Sequence, residues 1–361
     1  MYRSFEARNF RCFRDLTIND LERVNLIAGI NNVGKTALLE ALFLHCGGYN
    51  PELTIRLNAF RGIETMKFES GEWIETPWDS LFADFDASKK IELAGVDEAT
   101  GHRSLSLEIV HKAEELVELS QFLRHVPDRP ERLPLSSKGI QVLRLVYKEN
   151  ERKTGKYYMI FDLNGLRAVP IPPPPPFQAF FLTARTRIPL QEDAERFGRL
   201  ELMGRQEALL KALRVIEPRL RRLAVVVAGG VPIIHGDIGL NRLVPLPVMG
   251  EGMTRLATLV LAVANAPNGV VLIDEIENGL HHTILPQVWR AIGETARDFD
   301  TQVFATTHSL ECITAAHRAF AESGLYDFRL LRLERRGAAI QAVNYDRETL
   351  EAALRTGLEV R

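Results

Sequence analysis

The sequence predicts an α/β protein built round a largely parallel sheet, interrupted by a long α+β insertion with a small helical lobe. Three observations lead there. Val24-Asn-Leu-Ile-Ala28 is a continuous apolar run of strand length, followed at once by a glycine loop, Gly29 to Thr36, and then by the strong helix formers Ala37 to Leu44. After residue 245, strand and helix patterns alternate, which favours parallel pairing. The next wholly apolar strand run that ends in acidic residues, Val270-Val-Leu-Ile273, lies far along the chain from the glycine loop, beyond a long mixed stretch.

Taken in order, residues 1 to 28 alternate polar and apolar positions in two short runs, the second being the 24–28 strand. Residues 50 to 160 read as an antiparallel β region with an inserted helix. Trp73, Trp78 and Phe82 fall in loop-rich chain there, and Leu105 to Val110 and Tyr157 to Phe161 alternate as strands do. Pro170-Ile171 and the five prolines Pro172 to Pro176 enforce an extended crossover that cannot join a central strand. Helical periodicity runs over 190–223 through Leu200, Leu202, Leu209, Leu210, Leu213 and Ile216, with a break at Pro218. Beyond 245 the expected elements are a helix over 252–265, a strand over 270–273, a helix over 281–297 and a strand over 302–306. A hairpin (327–334 with 338–344, round Arg336-Gly337) and a last helix from Arg347, with Asp346 as N-cap, complete the chain. The expected division is therefore 1–48, 49–224 and 225–361. No heptad pattern lasts long enough for a coiled coil, and no fixed repeat is visible.

Composition excludes several classes. With 46% hydrophobic and 25% charged residues the chain is neither disordered nor fibrous. Apolar stretches such as Leu256 to Ala264 and Ala224 to Ala228 fall short of the roughly 20 residues of a membrane span. The opening Met1-Tyr-Arg-Ser-Phe-Glu6 reads as strand rather than signal peptide, so a cytoplasmic location is expected. Cys12, Cys46 and Cys312 form no CxxC pair and are read as free thiols. Because 45 basic residues face 47 acidic ones, any contact with DNA must be local.

Gly29-x-x-x-x-Gly34-Lys35-Thr36 fits the Walker A pattern, between a strand and a helix as that motif requires. Backbone amides of such a loop form an anion nest at the positive end of a helix. Lysine reaches the β and γ phosphates, and the Thr36 hydroxyl ligates Mg²⁺. The nucleotide-binding residues expected are Gly29, Asn31, Asn32, Val33, Gly34, Lys35, Thr36 and Ala37; the pattern alone does not choose ATP over GTP. Val270 to Ile273 ends in Asp274-Glu275, as Walker B does, so Asp274 joins Thr36 at the metal and Glu275 polarises the attacking water. Gln302 to Thr306 leads into Thr307-His308-Ser309, where a neutral imidazole can bond a γ-phosphate oxygen. The expected catalytic set is Lys35, Glu275 and His308, with ATP and Mg²⁺ as cofactors.

These three motifs together resemble an ABC-class P-loop ATPase head of the RecF, SMC and OLD-like branch, with a mixed sheet whose two halves are separated by an insertion. Asp274 to His281, Phe304 to Ser309 and Glu311-Cys312 resemble more narrowly the stand-alone AAA/OLD-like ATPases of antiphage operons. That resemblance implies an ATP-dependent homodimer acting as a switch for a separately encoded effector. A RecF-like ATPase that clamps DNA is the alternative.

The resemblance also implies a signature segment at Met249 to Ala257, where Met249 stands at the family serine and Glu251 at a common glycine. Gly250 and Gly252 would then meet phosphate of the opposite subunit through their amides. Glu277 to His281 resembles the D-loop. His281-His282 is a poor chelating pair, since adjacent helical residues point apart. Arg8 to Arg11 resembles the segment near the base, with an ordinary surface strand as the other reading. Arg214, Arg219, Arg221 and Arg222 could meet a phosphate backbone but read best as a solvated helix end, and Thr183 to Arg187 is a further candidate for a basic site. A Q-loop is expected near residues 70–82, with no residue assigned. An OLD-type nuclease domain would need more chain after His308, so nuclease activity is expected from a partner.

Overall fold

A computed structural model describes residues 1–63, 76–98, 101–110, 119, 141–150, 153–162, 165–175 and 177–361. Trp73, Pro176 and most of the first half of the expected Q-loop window lie outside them. The strands β1 (Tyr2–Phe10), β2 (Phe13–Ile18) and β3 (Val24–Ala28) precede α1 (Lys35–Cys46) and α2 (Leu53–Phe60). Then come β4 (Ile91–Asp97), β5 (Gly101–Ile109), β6 (Gln141–Glu149), β7 (Lys153–Asp162), β8 (Gly165–Val169) and β9 (Ala179–Leu182). Helices α3 (Leu190–Leu202) and α4 (Glu207–Leu213) are followed by β10 (Arg222–Ala228), β11 (Val231–Asp237) and β12 (Val244–Pro245). Next come α5 (Glu251–Ala264), β13 (Val270–Ile273), α6 (Leu285–Asp298), β14 (Gln302–Thr306) and α7 (Leu310–Glu322). The chain closes with β15 (Phe328–Arg336), β16 (Ala339–Tyr345) and α8 (Arg347–Thr356).

A six-stranded sheet in the order β16-β15-β3-β14-β13-β9 forms the centre. Its strands pair in parallel from β15 to β9, and only β16 is antiparallel. Successive side chains of a strand face opposite ways, and each central strand divides its residues accordingly. Val271, Ile273, Val303 and Ala305 join the core shared with α3 to α7, whereas Leu272 and Phe304 join the core shared with α1 and the antiparallel sheet. Helix α1 is covered on both sides, so every residue from Ala37 to Cys46 is buried. That is why its sequence has no polar stripe.

The antiparallel sheet, β2-β1-β4-β5-β6-β7-β8, does not follow the expected divisions. β1 from the 1–48 segment pairs with β4 from the 49–224 segment, β9 of the latter lies beside β13, and position 224 falls inside β10. Strand pairing joins these pieces because the edges of β1 and β13 need partners for their backbone groups. The three-stranded sheet β10-β11-β12 was not anticipated; it turns at Gly229-Gly230, both with positive φ, as a two-residue hairpin loop requires. Helices α3 and α4 form the helical lobe and bury Leu200, Leu209, Leu210 and Leu213, but Leu202 is 90% exposed because α3 ends there. Helix α6 starts at Leu285 rather than 281, since Pro286 lacks an N–H and suits only a first turn. Asp346 caps α8, accepting from the Thr349 amide at 2.9 Å.

A buried polar cluster ties α1 to the antiparallel sheet. The Tyr2 hydroxyl lies 2.7 Å from His45 Nδ1, and His45 Nε2 lies 3.1 Å from the Arg103 carbonyl oxygen. Burial holds the His45 imidazole neutral, with its pKa lowered to about 3. A base whose folded pKa is depressed contributes stability fully above its unfolded value, near 6.5, and loses it as pH falls. Wild-type stability measured by urea titration should therefore fall by ~3 kcal/mol between pH 6.5 and 4 relative to His45→Gln. Parallel curves for the two proteins would refute the assignment.

Candidate functional site

The glycine loop is shaped by two residues that tolerate no side chain. Gly29 has φ +146°, and a Cβ there would meet the Leu333 carbonyl oxygen at 2.7 Å. Gly34 has φ +104°, and its Cβ would meet Cys12 Sγ at 2.7 Å and the Phe13 ring at 2.9 Å. Gly34 is also the N-cap of α1 and offers no side-chain cap, so the first amides of the helix remain open to an anion. Asn31 and Asn32 are exposed on the loop, whereas Val33 and Ala37 bury their side chains in the core beneath it. Val33 and Ala37 can thus offer only backbone. Lys35 arches over the loop, its Nζ donating to the carbonyls of Gly29 (2.7 Å) and Ile30 (3.1 Å). Partial burial lowers its pKa, opposed by the charges of Asp274, Glu275 and Glu277.

Because β3, β14 and β13 run parallel and adjacent, their carboxyl ends deliver the glycine loop, the 307–309 turn and Asp274-Glu275 to one crevice. The Thr36 hydroxyl donates to Asp274 at 3.1 Å, and Thr306 Oγ1 donates to the same carboxylate at 2.7 Å. Asp274 is 8% exposed, and burial raises its pKa against those two hydroxyl bonds. Two hard oxygen ligands already in contact, beside an open helix terminus, match what a partly hydrated Mg²⁺ requires. The residues present therefore fit ATP with Mg²⁺.

Glu275 sits at the strand end with φ +48°, its amide bonded to Thr306 Oγ1 at 2.8 Å. Its carboxylate accepts from Asn278 Nδ2 at 2.7 Å. Glu277 gathers the opposite wall. Its Oε1 accepts from Thr307 Oγ1 (2.7 Å) and the His308 amide (3.2 Å), and lies 3.4 Å from His308 Nδ1. His308 is half exposed beside Glu277. Glu277 and Asn278 stand in the sequence only as part of the D-loop-like segment and Thr306 only as a strand end; their contacts to His308, Glu275 and Asp274 come from the tertiary structure. Behind the loop, buried Glu40 receives Arg11 at 3.0 Å and Arg61 at 2.6 Å. Arg8 to Arg11 closes β1, and only Arg11 of its two arginines turns inward, to that carboxylate.

In the signature-like segment, Gly250 is the exposed N-cap of α5 with φ +122° and no side-chain cap. Gly252 has room for a Cβ, since nothing comes nearer than 3.8 Å. Met249 packs its side chain toward Gly236 of β11, away from the helix terminus. The His281 and His282 rings lie 4.3 Å apart, tilted by 37° to one another, and His281 Nδ1 is engaged by Thr283. Within the expected Q-loop window, Asp79 to Leu81 form a 3₁₀ turn whose Leu81 carbonyl accepts from the Arg11 amide. The strand beside Asp274 is instead β9, with the Asp274 amide bonded to the Leu182 carbonyl at 2.8 Å. Thr183 to Arg187 therefore opens at the crevice, a placement that only the sheet order reveals. The arginines round Pro218 are engaged locally: Arg214 donates to the carbonyls of Leu220 and Arg221, Arg219 pairs with Glu217 and Arg222 with Asp237.

The chain is 24% identical over 354 residues to the "ATP/GTP phosphatase" of Helicobacter pylori, covering 89% of each protein. It is 31% identical over 114 residues to "Uncharacterized protein MJECL11" of Methanocaldococcus jannaschii, which spans 30% of this chain and 99% of that protein. In fold it is similar to the SMC head bound to the C-winged helix domain of ScpA. That likeness has 13% identity and a TM-score of 0.50, over 98% of this chain and 99% of that one. A family model described as "AAA ATPase domain" matches residues 1–128. A second, described as "AAA domain, putative AbiEii toxin, Type IV TA system", matches residues 71–313, well over half the sequence. The chain belongs to this AAA domain family and is an ATP-hydrolysing P-loop NTPase with the ABC-type head fold.

Proposed function

We propose that the protein is a Mg²⁺-dependent ATPase that dimerises on ATP and serves as the sensor and switch subunit for a separately encoded effector in antiphage defence. The observation that carries the chemistry is the contact of Thr36 with Asp274, one residue before a Glu275 held by Asn278. When bound, Mg²⁺ supplies charge neutralisation to the phosphates between Thr36 and Asp274. The amides of Gly29 to Thr36 and the Lys35 ammonium orient the phosphate chain. Glu275 takes the proton of the attacking water, with Asn278 fixing the carboxylate's direction. His308, aligned by Glu277, donates to the terminal phosphate. The proposed division is 1–48 and 225–361 as the two halves of the head and 49–224 as the inserted region.

Dimerisation is supported by the exposed, uncapped terminus of α5 at Gly250, beside the loop carrying Asn278 and Gly279. No residue of the protomer's own glycine loop lines the cavity beside that terminus, which supports a phosphate reaching it from a second copy. The effector and the defence role rest on the resemblance of the 274–281 and 304–312 segments. Light scattering of Glu275→Gln protein should show the mass doubling with ATP and Mg²⁺ and returning to that of one protomer without them. A single-protomer mass in both states would sink the dimer. DNA-stimulated turnover that weakens steeply with salt would instead favour the RecF-like alternative.

A further inference from the structure

Helix α5 rests on the turn that carries Asn278, and small residues make the contact. A Cβ at Gly252 would come within 3.8 Å of the Gly279 carbonyl oxygen, and one at Gly279 would meet the Glu251 side chain at 3.4 Å. Three residues after Gly252, and so on the same side of the helix, Arg255 lines a cavity of about 620 Å³ together with Asn278 and Gly279. Its Nε and Nη2 are buried, and neither has a hydrogen-bond partner among the described residues. Glu277 of the same turn is in the complementary position. Its Oε1 accepts from Thr307 and from the His308 amide, while its Oε2 is buried and likewise has no partner among the described residues.

A guanidinium does not shed its proton at neutral pH, and a buried cation or carboxylate oxygen left without a partner is costly. Two such groups of opposite sign beside one turn account for each other. Burial lowers the Arg255 pKa, and of the carboxylates that act against this Glu277 is the strongest, ahead of Asp274 and Glu251. Asp274 already accepts from Thr36 and Thr306, and Glu251 is exposed and paired with Arg187. Glu277 Oε2 is therefore the acceptor left for Arg255. The two groups stand apart in the structure, but the cavity gives the arginine room to swing, and the glycines at 252 and 279 let α5 shift on the turn.

We infer that Arg255 is a positioning residue for hydrolysis: by closing on Glu277 Oε2 it fixes the carboxylate that aligns His308, and so carries a movement of α5 to the terminal phosphate. This role rests on His308 meeting that phosphate, and it adds the cation that controls when the histidine is held in place.

A double-mutant cycle tests it. Arg255→Gln protein should bind a fluorescent ATP analogue as the wild type does. In single turnover it should hydrolyse ATP roughly 10- to 100-fold more slowly, the loss expected when a group at the reaction is misplaced. Glu277→Gln should lose about as much. Combined, the two changes should cost no more than the larger one alone, because each already breaks the same link. Arg255→Lys keeps the charge and should recover most of the rate, which separates the ion pair from a packing role should Arg255→Gln protein fold poorly. In His308→Ala protein, Arg255→Gln should add no further loss. Losses that multiply, an undiminished rate in Arg255→Gln protein, or a loss of affinity in place of rate each overturn the inference. If the wild type hydrolyses no ATP, it is the proposed function that fails. The pair is then read from the melting temperatures of wild type, the two single variants and the double variant, where shifts that do not add support it and additive shifts overturn it.

Discussion

Glu275→Gln protein is expected to bind ATP as the wild type does and to hydrolyse it about 10² to 10⁴ times more slowly, the usual span of a general-base contribution. The substitution keeps the shape of the side chain and can keep the contact to Asn278, so the loss falls on proton abstraction rather than on fold. Nucleotide affinity is set elsewhere, by the amides of the glycine loop and by Lys35, whose Nζ lies against the Gly29 and Ile30 carbonyls. Lys35→Ala should therefore show the opposite pattern, with nucleotide binding lost and the fold retained. Equilibrium binding of a fluorescent ATP analogue, run beside single-turnover hydrolysis, separates the two. Undiminished single-turnover hydrolysis by Glu275→Gln protein would remove Glu275 as the base.

Gly34→Ala is expected to damage binding and stability together. At φ +104° an alanine is strained by on the order of 1–3 kcal/mol, and its Cβ has nowhere to go between Cys12 Sγ and the Phe13 ring. Relief requires the loop to move away from β2, which displaces the first amides of α1 and the Lys35 and Thr36 side chains that follow. A displacement near 1 Å at a reacting group can cost roughly 10²-fold, so turnover should fall by about that factor. Affinity should fall at least about tenfold, in line with charge-assisted bonds lost. The control is Gly252→Ala, where a Cβ meets nothing closer than 3.8 Å and no fold penalty is expected. Equal melting temperatures for Gly34→Ala and wild type would contradict this account.

Much of the site was legible locally. Gly29 to Thr36 and Val270 to Glu275 each state their structure within a few residues, because a strand, a tight loop and a helix start leave apolar, glycine and hydroxyl signals in sequence order. The same holds for Asp346 at the α8 cap and for β14 before His308, since caps and buried strands are decided by near neighbours. Element limits followed wherever such signals were sharp. They failed at 281–284, because Pro286 holds the helix start to Leu285, and at Leu202, which closes its helix and lies in solvent.

What the chain alone could not state is which elements become neighbours. Periodicity reports the face a residue turns to the core, not the strand it meets there, so the place of β9 beside β13 and the hairpin of β10 with β11 required the assembled sheets. The residues that tune the site belong to the same class. Asn278 matters through Glu275, Thr306 through Asp274, Glu277 through His308, and Glu40 through two arginines from either side of α1. That Arg255 Nε and Nη2 are buried without a hydrogen-bond partner among the described residues is likewise a fact of the tertiary structure. Sequence by itself determined a glycine loop, a pair of adjacent carboxylates and a histidine turn, each at the end of an apolar strand run; tertiary structure decided what orients them, because orientation comes from contacts between distant segments that no local pattern encodes.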